Sequence, residues 1–101
     1  MIKILKLSTS EEIIGKVIKD PENNSWFVVQ PCAITLISSQ STMDRHAMGL
    51  VPYAGYTSEH TVSVRDSKVV WIADPAPELL AEYNKAMEVA MYFANDNTPN
   101  R

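Results

Sequence analysis

His60–Ile72, HTVSVRDSKVVWI, is the stretch on which the reading of this chain turns. Thr61–Val64 alternates polar and apolar residues, and Val69–Ile72 is almost wholly apolar, so both flanks read as strands. Between them, Arg65-Asp66-Ser67-Lys68 has the length and composition of a hairpin turn. The expectation is a hairpin set into the core with a charged tip in solvent, which would hold Arg65 and Lys68 ready for a partner. A solvated turn whose two cations only keep the protein soluble is the alternative.

Working outward, the residues before this stretch repeat the β pattern. Ile2–Leu7 (IKILKL) is a short strand and Ser8-Thr9-Ser10 a turn. Glu11–Lys19 (EEIIGKVIK) is a second strand, with Ile13 and Val17 on one face and Ile14 and Ile18 on the other. Gly15 weakens its middle and so marks a bend or a close backbone contact. Asp20–Ser25 (DPENNS) is a turn. Trp26–Ile37 forms a third strand, interrupted at an edge or bulge by Pro31, which cannot donate to a ladder. Ser38–Arg45 is a polar loop expected to be mobile. Met48–Tyr56 resumes the β pattern, breaks at Thr57-Ser58-Glu59, and with Thr61–Val64 makes one long fourth strand containing an irregularity.

After Ile72 the period becomes helical. Asp74-Pro75-Ala76-Pro77-Glu78 offers an aspartate cap, prolines for the first turn and an acid near the positive helix end. Leu79, Leu80, Tyr83, Met87, Ala90, Met91 and Ala94 then form one apolar stripe, fit to pack on the sheet or on a partner. The expected organisation is a mainly β domain over 1–74, an amphipathic helix over 75–94 and a flexible tail over 95–101. Five bent antiparallel strands in so short a chain favour a small closed barrel, because closure removes sheet edges.

Composition narrows the function classes. With 101 residues, 46% of them hydrophobic, the chain is one folded domain with a marginal core that self-association would help. No apolar run approaches the roughly 20 residues of a membrane span. Met1-Ile2-Lys3 leads into a strand with no apolar leader, and Cys32 is the single cysteine, so the expected compartment is the cytoplasm. The net charge of −3 argues against nucleic acid, but its distribution does not. Residues 1–69 balance seven basic side chains (Lys3, Lys6, Lys16, Lys19, Arg45, Arg65, Lys68) with seven acids. The excess lies in the helix and tail, where Asp74, Glu78, Glu82, Glu88 and Asp96 face only Lys85 and Arg101. A phosphate loop, a zinc-protease helix and a nucleophile elbow are all missing. His46 and His60 lie in a loop and at a strand start, without ligand spacing for a metal. No catalytic residue, metal or cofactor is expected, and the chain reads as a non-enzyme.

IKILKLSTSEEIIGKVIKD, with Asn24 and Trp26–Val29 after it, resembles the first motif of the Sm-like proteins (Sm, LSm and Hfq). In that motif a Gly-containing turn joins two strands, the second bends at a glycine and ends in aspartate, and a loop asparagine follows. Gly15, Asp20 and Asn24 fall on these positions. VRDSKVVWI resembles the second motif, an apolar residue, Arg, Gly, two free positions and an apolar strand. The whole chain also looks like short phage-encoded Sm-like proteins. The resemblance implies a five-stranded Sm-like barrel and a homo-oligomeric ring formed by pairing of edge strands. It also implies binding of single-stranded, often U-rich, RNA in RNA metabolism or regulation. The RNA-binding residues it implies are Asp20, Asn24 and Arg65, with Lys68 beside them on the turn. The chain departs from the family's pattern: Asp66 replaces the motif glycine, Asn23 the base-stacking side chain and Ser10 the first-turn glycine, the Lys-His pair of the Hfq branch is missing, and the acidic C-terminal helix is extra or stands in for the family's usual N-terminal helix. These departures, with the acidic helix, leave a second expectation: a ring-shaped protein-interaction scaffold that binds no RNA.

Overall fold

The computed structural model describes residues 1–36, 48–57 and 59–96. It contains six strands: β1 (Ile2–Leu7), β2 (Glu12–Asp20), β3 (Ser25–Leu36), β4 (Met48–Pro52), β5 (Thr61–Arg65) and β6 (Val69–Ala73). A 3-10 turn, Asp66–Lys68, joins the last two, and one helix, α1 (Pro77–Asp96), follows. All pairings are antiparallel, in the order β4-β3-β2-β1-β6, with β5 also on β3. The polar loop Ser38–Arg45, His46 and residues 97–101 of the expected tail lie outside the described residues.

The hairpin expected at Arg65–Lys68 is not what forms. β5 pairs with β3 and β6 with β1, so the strands flanking the turn belong to opposite sides of the sheet. Turn composition fixes a local reversal, but not the strand on which each flank finds its ladder. This connection forces the sheet to curl. Laid flat, β5 and β6 would be four strand spacings apart, about 19 Å. The four Cα steps from Arg65 to Val69 reach at most about 14 Å, and less in a 3-10 turn.

The core agrees with that curl. Val62 and Val64 of β5 and Val69 and Ile72 of β6 pack with buried Leu5, Leu7, Ile13 and Val28 in one cluster on the inner face. Yet among the described residues no ladder joins β5 to β6, so the closed five-stranded barrel is corrected to a curled, open six-stranded sheet. The long fourth strand is likewise two strands on one partner. The Tyr53 N–H donates to the Pro31 carbonyl at 2.9 Å and the Gln30 N–H to the His60 carbonyl at 2.6 Å. Between these two bonds the described residues lie outside the ladder, with positive φ at Ala54 and His60.

Gly15 and Pro31 explain the sharpest feature of the sheet. Ile14 faces Cys32 but Lys16 faces Val29, so Gln30 and Pro31 both stand opposite Gly15 as a bulge. The bulge takes the proline without a lost ladder bond, and Gln30 turns it with φ 53°. A Cβ on Gly15 would lie 2.7 Å from Val28 Cγ1 and 3.0 Å from the Val29 carbonyl oxygen. Only glycine lets the two backbones approach so closely.

The outer face is covered over part of its area by α1. Leu79 and Tyr83 pack on Ile14 and Cys32, and Met87, Ile2, Ile4, Ile34 and Leu50 complete this second cluster. Asp74 does not cap the helix. It lies ahead of the first turn and pairs with Lys3, while the Ala76 carbonyl accepts from the Leu80 N–H. Among the described residues no helix is long and apolar enough to cross a membrane.

Candidate functional site

Strand register builds the site. Asp20, Ser25 and Arg65 stand directly opposite one another on β2, β3 and β5, on the outer face. The next outward row is Ile18, Phe27 and Ser63. Arg65 and Ser63 with Asn23, Ser25 and Phe27 line a groove of about 380 Å³. Among the described residues Arg65 has no carboxylate within ion-pair distance. Phe27 is 38% exposed, so part of its ring is open to the groove. The Ser63 hydroxyl lies 3.5 Å from that of Ser25, which is buried. A guanidinium, an amide, two hydroxyls and an aromatic surface thus share one open cleft. They can hold an anion, hydrogen-bond a planar polar group and stack on it.

The turn that carries Arg65 is tied at both ends. The Asp66 N–H donates to the Asn24 carbonyl at 3.0 Å, and the Ser8 N–H donates to the Lys68 carbonyl at 2.8 Å. Asn24 has φ 53°, which turns its carbonyl into this bond while its residue type tolerates the left-handed conformation. Asn23 Nδ2 donates to Asp20 Oδ2 at 2.9 Å, bracing the same loop. On the inner face, Lys19 lies opposite Trp26 with Nζ 4.3 Å from the ring centroid, a cation–π contact. Trp26 Nε1 donates to Asp66 Oδ1 at 2.8 Å, and Lys19 Nζ is 3.5 Å from the same oxygen. The indole hydrogen bond first, and the Lys19 charge after it, hold the Asp66 carboxyl below the ordinary carboxylate range. The negative charge of Asp66 is therefore engaged by its own latch.

Of the residues expected from sequence, Asp20, Asn24 and Arg65 meet at this corner, though in different parts. Arg65 lines the groove, Asp20 braces Asn23 and Asn24 offers its backbone. Lys68 is not among the groove residues and stands at the far end of the turn. Sequence reading missed Phe27, Ser25 and Ser63. Their only signal was alternation: with Val28, Val62 and Val64 inward, their neighbours must face out. His60 contributes its carbonyl to the ladder, and among the described residues no group of three His, Cys, Asp or Glu side chains converges. No protein-family model and no curated protein sequence matches the chain.

Proposed function

We propose that this chain is an Sm-like, non-enzymatic subunit of a homo-oligomeric ring that binds single-stranded, U-rich RNA in the cytoplasm. The observation that carries the binding reading is Arg65: a guanidinium without an ion pair among the described residues, in a polar groove beside an exposed aromatic ring. Asp20 and Asn24 shape the loop that borders it, and Lys68 adds a cation within a Debye length of the same path. Ser10, which replaces the family glycine, takes φ 85°, the conformation a glycine would supply. Asp66, at the other glycine position, sits in a 3-10 turn that asks for no positive φ.

The ring is supported by the two edges. Among the described residues β4 and β5 leave one side of the sheet unpaired and β6 the other, and the edges differ in sequence. Pairing between copies is then head-to-tail, which closes into a ring when the rotation permits. The scaffold reading without RNA is favoured by one observation, the exposed acids Glu78, Glu82 and Glu88 on α1. Titration of labelled oligo-U and oligo-C across a salt series separates the two. RNA binding requires tighter oligo-U binding, with a log–log salt slope that flattens in Arg65→Ala because fewer phosphates are neutralised. Lys16→Ala, an equal charge loss at an exposed position outside the groove, is expected to change little. Equal losses in the two variants would mean general electrostatics, and no binding at low salt would leave the scaffold.

A further inference from the structure

We propose that Trp71 of one copy docks into the groove between α1 and β4 of the next. The inference rests on the edge-to-edge assembly above and names the contact that holds it.

Among the described residues β6 is an edge strand of five residues, VVWIA, without a charge or a proline. Val70 is 60% and Trp71 42% exposed. Sheet edges left in water are normally guarded by charges, prolines or covering loops, and an uncharged apolar edge is a template for another strand. At the opposite side, β4 is an edge as well, with Met48 42% and Val51 46% exposed.

The faces decide where Trp71 goes. It stands opposite Lys6, two residues along from the Ile4↔Ala73 pair, and Ile4 packs in the outer cluster with α1. Trp71 is therefore an outer-face residue, while Ile72 beside it points into the inner cluster. A strand added to an edge keeps the alternation of the sheet, because the side-chain period is two. When β6 of one copy extends the sheet beyond β4 of another, its Trp71 is carried onto the outer face beside β4. There Met48, Gly49 and Leu50 face Glu82, Lys85, Ala86 and Val89 of α1 across a groove of about 350 Å³.

The chemistry of the two sides matches. The groove is apolar along its floor, and its one acid and one base cancel, which suits an uncharged strand. An indole supplies the large apolar surface that covers Leu50 and Val89. Its N–H needs an acceptor when buried, and Glu82 at the rim is one. The second copy is thus specified by this chain's own two edges, one presenting the ring and the other the slot.

The test uses the full chain with Trp71 replaced by the photoreactive aromatic p-benzoylphenylalanine, together with Val89→Arg. On irradiation the first is expected to yield a covalent two-chain product whose cross-linked peptide falls within 82–89 or 48–50. Val89→Arg puts a charge in the slot at an exposed helix position, and is expected to lower the assembly mass with the circular dichroism spectrum unchanged. An assembly that forms in Val89→Arg as in the wild type, with cross-links elsewhere or none, would overturn the docking while leaving edge pairing intact. A monomeric wild type would overturn both.

Discussion

At the scale of single residues, a close contact shapes the sheet and a polar latch holds the turn that carries Arg65. The contact lies at Gly15, where two of the atoms nearest to an added Cβ, the Val29 carbonyl oxygen and Pro31 Cα, are backbone and cannot swing away. Gly15→Ala is expected to cost about 1–3 kcal/mol of stability, the usual penalty of overpacking, read as a lower calorimetric melting temperature. An unchanged melting temperature would mean that the bulge yields freely. Asp66 gives a second residue-scale expectation. Its carboxyl is held low in the folded chain, so its contribution is present above the unfolded pKa near about 4 and is lost as pH falls through the folded value. The indole N–H resonance of Trp26 is expected to titrate below about pH 4 in the wild type and to stay flat there in Asp66→Asn. The same titration in both would detach Trp26 from Asp66. Residue chemistry of this kind was partly legible beforehand. A mid-strand glycine and an in-strand proline announce a close contact and a bulge wherever they occur. The latch of Lys19, Trp26 and Asp66 was not legible, since positions so distant in sequence meet only through the curl of the sheet.

At the scale of elements, α1 acts as a cover and also as a brace. Tyr83 is buried, and its hydroxyl donates to the Gln30 carbonyl at 2.8 Å, satisfying an acceptor that the bulge has taken out of the ladder. Burial pushes the phenol up to about 12. A raised folded value means that the contribution is whole below the unfolded pKa near about 10 and fades as pH rises through about 12. Tyr83→Phe is expected to cost about 0.5–1.5 kcal/mol, seen as a lower urea midpoint with an unchanged slope. No shift of the midpoint would leave the bulge carbonyl served by water. The helix, its apolar stripe through Leu79, Tyr83 and Met87, and the first three strands were readable from period alone, whereas the break between β4 and β5 was not. The turn at Asp66–Lys68 was not, because the same polar residues suit a hairpin and a link between sheet edges. What separates the two is strand partnership, a property of the whole sheet. Phe27 and Ser63 stayed hidden for the same reason, as register alone places them beside Arg65.

At the scale of the molecule, a three-residue turn bridges the two sides of one sheet, and the curl this imposes leaves both edges open among the described residues. The edges are unlike, and each exposes apolar side chains, Val70 and Trp71 on one and Met48 and Val51 on the other. A small core gains from covering them, at roughly 25 cal/mol for each Å² of apolar surface removed from water. Head-to-tail pairing would repeat the Arg65 groove once per subunit, so that one RNA strand meets several guanidiniums together. Everything proposed for function therefore stands on assembly. Sedimentation equilibrium of the wild-type chain at micromolar concentration tests it most directly. A closed ring gives one mass, a fixed whole-number multiple of the chain that does not change with concentration. A monomer mass, or a mass that keeps rising with concentration as in an open filament, would contradict it.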